Sequence, residues 1–280
     1  ISRDDIKTHL SSVITSAKTM SGYKGPEISD PPVLTGKYKK EGFLIEKCFV
    51  QGQGDYVIPF VYFIPDGTAD NILIYLHPDG KMADPASHKE MEWFARQGFV
   101  VLAPDLLGTG ETYPLDFVGD AYIDNVSLNI WFTSTLINKS IAGIRARDVS
   151  QLVRLAEQRF GKKDIYALAK EEMGPVLLHA AAFDEKVKKI ALVKPYSSYI
   201  SIAMNRYYNT KYIHNVIPGA INEYDLPDLA ACLAPKKLLM INITDGAGKL
   251  LEMDQIKDEL WITYSSYGFK NAENKLNIYT

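Results

Sequence analysis

Ile72-Leu73-Ile74-Tyr75-Leu76 and Phe99-Val100-Val101-Leu102-Ala103 are two short, uninterrupted apolar runs, and residues 86–97 between them carry a helical pattern. An apolar run of that length without polar alternation is a strand whose two faces are both covered, which is how strands of a parallel sheet read. With a helix as the crossover, the stretch predicts a β-α-β unit. The same grammar continues downstream. Helices are expected over residues 141–160, 176–182, 226–233 and 253–264, alternating with strands over 165–168, 190–193, 238–243 and 276–279. Alternation of this kind defines a doubly wound α/β architecture with helices on both faces of a mostly parallel sheet of about eight strands.

Upstream of the deciding unit the pattern differs. Residues 42–50 and 56–64 are β-rich and flank the Gly52-Gln53-Gly54-Asp55 turn, which predicts an antiparallel N-terminal hairpin at the sheet edge. Before it, Ile6, Leu10, Val13, Ile14 and Ala17 recur at helical spacing, and a Gly/Pro-rich loop follows from 22 to 32. Residues 1–32 therefore read as a helix-and-loop lead-in and 33–280 as a single domain. Two stretches rich in Tyr, Asn and Ile, 111–140 and 196–224, interrupt the alternation after strand ends. Ligands of open α/β sheets bind beyond the carboxyl ends of strands, so a substrate would meet these insertions, which serve equally well as packing segments.

Composition narrows the function. An apolar fraction of 46% is enough to fill a sizeable core. A net charge of −3 argues against the basic surface that nucleic acid requires. No apolar run approaches the roughly 18–20 residues that span a bilayer. Cys48 and Cys232 are too few for a disulfide scaffold or a zinc site and read as free buried thiols. Gly108-Thr109-Gly110 lacks the lysine of a phosphate-binding loop and the spacing of a dinucleotide fingerprint, so no cofactor is expected. Asp79, Asp84, Asp105 and Glu111 are close enough in sequence to gather around a cation, although scattered loop carboxylates are ordinarily solvated and no metal is expected. The chain opens on Ile1 with no signal-like apolar run, which reads as a piece of a longer protein.

Several local motifs carry a resemblance. The run Leu73-Ile74-Tyr75-Leu76-His77-Pro78-Asp79-Gly80 looks like the strand and oxyanion loop of lipases and esterases. Residues 98–111, Gly-Phe-Val-Val-Leu-Ala-Pro-Asp-Leu-Leu-Gly-Thr-Gly-Glu, match the pattern G-x-V-V-x-x-x-D-x-x-G-x-G-E of the same enzymes. Val216-Ile217-Pro218-Gly219, the run from Tyr224 to Ala230 and the run from Leu233 to Leu239 look like the approach to their seventh strand. Over residues 42–280 the chain resembles the α/β-hydrolase superfamily, in particular its acetyl xylan esterase-like and dienelactone hydrolase-like members.

The resemblance implies a catalytic triad, and two of its three positions are altered. The nucleophile of such enzymes sits in G-x-S-x-G on a tight turn after the fifth strand. Here that turn reads Lys170-Glu171-Glu172-Met173-Gly174, which places Glu172 at the serine's position. A glutamate is already ionised and forms no ordinary acyl-enzyme ester. The pattern fits a relaxed turn with a solvated or lysine-paired glutamate, or else a carboxylate nucleophile or base. Asp245, in Thr244-Asp245-Gly246, matches the triad acid and is equally an ordinary turn signal. The base should be a histidine after the last strand, yet none follows His214.

The other histidines have plainer roles by position. His9 and His88 lie on helices, and His179 reads as a packed core imidazole. His77 is the oxyanion-loop histidine of the resemblance, and Pro78 beside it removes a backbone donor from that loop. Tyr199 and His214 lie in the second insertion and are candidates for the cleft. Tyr196-Ser197-Ser198 offers hydroxyls that ordinary loop hydrogen bonding accounts for. Tyr199, Tyr207, Tyr208 and Tyr212 could stack on sugar rings or, as aromatic clusters more often do, form core.

Together these readings predict an esterase-like domain without working triad chemistry, accessory or structural within a larger esterase. The alternatives are a hydrolase that uses Glu172, and a carbohydrate-binding module. With this chain read as the C-terminal part of a longer protein, the expected partners are an N-terminal catalytic domain of the same polypeptide and carbohydrate. By analogy with similar bacterial proteins, the expected setting is periplasmic or secreted.

Overall fold

In the computed structural model, residues 3–26, 30–81, 85–114 and 119–280 are described. The deciding stretch forms β4 (Asn71–Leu76), α2 (Pro85–Arg96) and β5 (Phe99–Pro104), preceded by α1 (Arg3–Ser21), β1 (Val33–Lys40), β2 (Phe43–Gln51) and β3 (Val57–Pro65). A small hairpin, β6 (Tyr122–Ile123) and β7 (Val126–Ser127), leads to α3 (Leu128–Leu136) and the long α4 (Ile141–Phe160). Then come β8 (Asp164–Lys170), α5 (Gly174–Phe183), β9 (Val187–Val193), α6 (Tyr199–Ala203) and α7 (Leu226–Cys232). The chain closes with β10 (Lys237–Ile241), α8 (Met253–Glu259), α9 (Trp261–Phe269) and β11 (Leu276–Tyr279).

The main sheet has nine strands in the order β1-β2-β3-β5-β4-β8-β9-β10-β11. The pairings β1–β2, β2–β3 and β3–β5 are antiparallel, and every pairing from β5 to β11 is parallel. In β4 and β5 the residues divide by parity. Ile72, Ile74, Leu76, Val100 and Leu102 belong to one core, while Leu73, Tyr75, Val101 and Ala103 belong to a second core with Met91 and Ala95 of α2. Two covered faces explain the unbroken apolar runs, and each fully buried Leu, Ile or Val contributes about 1.5–3 kcal/mol.

Two elements depart from the sequence reading. The expected edge hairpin is flanked by β1, an additional strand whose residues are nearly all exposed. Val-Leu-Thr-Gly-Lys-Tyr-Lys-Lys buries no face, so it shows no alternation, and its lysines suit an edge that must resist further pairing. The helix expected over 253–264 is two helices that break at Leu260, the second running on to Phe269.

α4 has charged residues on buried faces, and its start is fixed locally. Ser140 caps it, its Oγ accepting from Gly143 N at 3.0 Å, and also donates to Ser21 O at the end of α1. A Cβ on Gly143 would lie 2.2 Å from Ser21 O, so only glycine lets the two helix ends meet there. Among the described residues no helix is long and apolar enough to cross a membrane.

Candidate functional site

Beyond the carboxyl ends of β4 and β5, two loops are locked by one buried carboxylate. Asp105 accepts from Lys81 N at 2.7 Å and Glu111 N at 3.0 Å, and it pairs with the Lys81 ammonium, which also binds Glu111 at 2.7 Å. Gly80 and Gly110 close on this carboxylate so tightly that a Cβ on either would lie 2.2 or 2.3 Å from its Oδ1. The spacing Asp105-x-x-Gly108-x-Gly110-Glu111 thus has a packing cause. It also corrects, for Asp105, the reading of Asp79, Asp84, Asp105 and Glu111 as solvated loop carboxylates, since Asp105 is buried. The charge that gathers Asp105 and Glu111 is the Lys81 ammonium, and Asp79 is exposed; Asp84 lies outside the described residues. Among the described residues no cluster of three or more metal-ligating side chains forms.

The oxyanion-loop position is turned inward on itself. Asp79 N donates to His77 Nδ1 at 3.2 Å and Gly80 N to His77 O at 3.1 Å, while Pro78 has no N–H to offer. The first donors that could face a developing oxyanion are already committed.

The turn after β8 is strained, one residue earlier than the motif reading placed it. Glu171 has φ 48°, a left-handed value that non-glycine residues adopt at a cost of about 1–3 kcal/mol. The turn's frame is therefore Ala169-Lys170-Glu171-Glu172-Met173, and Gly174 opens α5 against Pro195 instead of closing the elbow. Lys170 does not crowd the turn, because its ammonium pairs with Glu90 and lies 5.6 Å from the centre of the Tyr75 ring.

Glu172 is half-buried and forms no lysine ion pair among the described residues. Its Oε2 is buried without a hydrogen-bond partner among the described residues, and its carbonyl accepts from Asn215 Nδ2 at 2.6 Å. Burial pushes its carboxyl up to about 7, against the pull of its own backbone N–H, Lys211 and Arg145.

His214 shares the cavity with Glu172 but is not placed as a triad base. Its Nε2 lies 2.7 Å from Ser127 O and its Nδ1 3.5 Å from Arg145 Nη2. A carbonyl can only accept, so Nε2 carries the proton and Nδ1 turns its lone pair to the guanidinium. Burial, helped by Arg145, pushes the imidazole down to about 4. The other imidazoles are engaged elsewhere. His9 faces Asp228 at 3.1 Å, His88 faces Glu92 at 3.7 Å, and His179 lies between Pro175 O and Tyr224 Oη.

Asp245 closes its own turn, its Oδ1 accepting from Ala247 N at 2.8 Å and Lys249 N at 2.9 Å. Tyr199 does not line the cavity. It is buried with Tyr196 and Tyr212, whose rings stack 4.3 Å apart, while Tyr207 and Tyr208 are exposed. Ser198 caps α6 and donates to Glu259, as loop hydrogen bonding predicts, whereas the hydroxyls of Tyr196, Ser197 and Tyr199 are buried without a hydrogen-bond partner among the described residues.

The two insertions meet over the strand ends. Trp131 Nε1 donates to Val216 O at 3.1 Å, Thr210 Oγ1 to Asp124 at 3.0 Å, and His214 to Ser127 O. Between them and the loops of β4, β5 and β8 lies a cavity of about 460 Å³. Of the residues singled out from the sequence, Pro78, Asp79, Glu172 and His214 line it, and His77, Asp245 and Tyr199 do not. Arg145, Lys211, Tyr113 and Asp124 also line it and were not foreseen. The signal for Arg145 was a pair of arginines and an aspartate, Arg145-Ala146-Arg147-Asp148, set inside a helix that packs on nearly every side.

A mostly parallel sheet entered through antiparallel strands, with a strained strand-to-helix turn after β8 and insertions after β5 and β9, is the α/β-hydrolase fold. Solved structures similar to this chain are esterases of that type. A protein designated an acetyl xylan esterase from Bacteroides fragilis has a TM-score of 0.78 at 14% identity, over 100% of this chain and 76% of its own. A methylesterase has a TM-score of 0.67 at 15% identity, over 99% of this chain and 59% of its own. The acetyl xylan esterase of Paenibacillus sp. R4 has a TM-score of 0.64 at 16% identity, over 100% of this chain and 93% of its own. No protein-family model matches the sequence, and neither does any curated protein. At such identities the likeness establishes the fold, and function is argued from the site.

Proposed function

We propose that this chain is an acetyl xylan esterase-like domain without serine-type hydrolysis, acting as an accessory or structural domain beside a catalytic domain of a larger carbohydrate esterase. The observation that carries this is the setting of His214. A triad imidazole needs a carboxylate on one nitrogen and the nucleophile on the other. Here one nitrogen donates to a backbone carbonyl and the other faces a guanidinium. Among the described residues no serine lines the cavity, and triad members act as a unit, so losing the nucleophile and the base together removes nearly all the rate. The purified chain is expected to leave p-nitrophenyl acetate and acetylated xylan at the background rate. Robust turnover that disappears in Glu172→Ala would overturn the proposal.

One observation favours a second reading. A carboxyl held near neutrality in a cavity suits a general base or a carboxylate nucleophile, and Glu172 is such a group. That reading requires an ester on Glu172 visible by mass spectrometry after a substrate pulse, or hydrolysis abolished by Glu172→Gln. Neither effect in the presence of measurable turnover would remove it.

A further inference from the structure

We infer that the cavity over the strand ends binds a small molecule through its carboxylate, which pairs with the guanidinium of Arg145. This goes beyond the accessory role and stands whether or not the chain hydrolyses esters.

Arg145 is 2% exposed, the largest of the fully buried side chains, yet it lines the cavity. Its hydrogen-bonding contacts are neutral: Nε donates to Leu107 O at 2.8 Å and Nη2 faces His214 Nδ1 at 3.5 Å. Arg147, two residues on, shows the alternative, with Asp148 at 3.6 Å and Gln151 at 2.8 Å. Arg145 forms no salt bridge among the described residues. Burial weakens its charged form, and the more distant carboxylates of Glu172 and Asp148 offset this only in part, so an anion arriving through the cavity and pairing directly with the guanidinium would stabilise it.

The surroundings select the kind of anion. Glu172 lines the same cavity, and burial raises its carboxyl to about 7, so near neutrality it is divided between its two forms. Protonated, it offers a donor to the ligand; ionised, it competes with the ligand for Arg145. Lys211 is exposed at the rim and adds a second positive group. Asp79 and Asp124 also line the cavity. They disfavour a dianion such as phosphate, and they offer acceptors to hydroxyl groups. One planar fork of donors facing a monoanion is the geometry that a carboxylate satisfies with two parallel hydrogen bonds. A volume of about 460 Å³ suits a ligand the size of a sugar acid.

The test is calorimetry on the unmodified chain with D-galacturonate, D-glucuronate and acetate, each set against a neutral counterpart: the methyl ester of each acid. At least one acid is expected to bind tenfold or more tightly than its ester, with affinity falling as salt is raised. Lys211→Ala, an exposed change, should weaken that acid several-fold. Arg145→Gln should abolish its binding, with circular dichroism confirming the fold; if that variant unfolds, the acid-to-ester ratio on the unmodified chain decides. No binding by any of the three acids, equal binding of acids and esters, or binding retained by a folded Arg145→Gln overturns the inference. Because the readout is binding, it is independent of the turnover assay that tests the absence of hydrolysis.

Discussion

His214 Nδ1 and Arg145 Nη2 stand 3.5 Å apart, with the opposite ring nitrogen held by Ser127 O at 2.7 Å, so the cavity's imidazole is fixed in one tautomer with its lone pair facing a cation. A proton added at Nδ1 would put two positive charges side by side in a buried site. The imidazole is therefore expected to stay neutral well below its usual range, with a pKa of about 4. Its folded value lies below its unfolded one, so its contribution to stability is present above about pH 6.5 and is lost as pH falls toward 4. A nitrogen-edited NMR titration should show the Nε2–H tautomer unchanged from pH 8 to about 5.5. A midpoint near 6.5 would contradict the geometry.

Glu172 gives the opposite sign. Its folded value, about 7, lies above its ordinary 4.5, so the fold favours the protonated carboxyl, and stability is lost as pH rises from about 4.5 through 7. Glu172→Gln keeps the shape without the charge. It should match the parent chain near pH 4.5 and exceed it at pH 8 by roughly 2–3 kcal/mol. Urea unfolding at the two pH values measures the difference. Equal stability at pH 8 would mean that Arg145 and Lys211 already neutralise an ionised Glu172.

The central β-α-β unit was legible because burial on both faces leaves its mark on all but the first residue of β4 and of β5. α4 was legible to its ends, since Ser140 before it and Gly161 after it punctuate the pattern. β1 was not, because an exposed edge strand buries nothing that would impose a period. The site was legible only where a motif carried it. Glu172 was found through the turn motif, but that frame was anchored on Gly174, and backbone strain falls on Glu171, one residue earlier. Arg145 left a local signal in the charges inside a buried helix, but its meeting with Lys211 at one cavity depends on α4 and the second insertion coming together in space, which no local pattern shows.

Asp105 is the joint between the two loops at the floor of the site. Asp105→Ala removes the acceptor of two backbone N–H groups and leaves the Lys81 ammonium, which is 3% exposed, with Glu111 as its remaining partner among the described residues. Breaking a buried pair from one side costs about 3–5 kcal/mol. A drop of that size in urea-derived stability is expected, with faster amide exchange at Gly80, Lys81 and Glu111. A loss under about 1 kcal/mol would show that the loops hold without it.

Putting a serine back at the elbow should not restore hydrolysis. The strained residue is Glu171 and the motif-aligned one is Glu172, so both Glu171→Ser and Glu172→Ser are needed for a fair trial. In either variant the hydroxyl would lack a base. His214 has committed its N–H to Ser127 O and aims its lone pair at Arg145, and Asp245 spends its carboxylate on Ala247 N and Lys249 N. The loop N–H groups of Asp79 and Gly80 are turned back on His77. An unactivated serine with the β4-loop half of its oxyanion hole committed elsewhere has little advantage over water, so p-nitrophenyl acetate should be consumed within about tenfold of the buffer rate. An acyl-enzyme burst in either variant would reveal that a base reaches the elbow after a rearrangement of the second insertion, and His214 would then be the group to replace next.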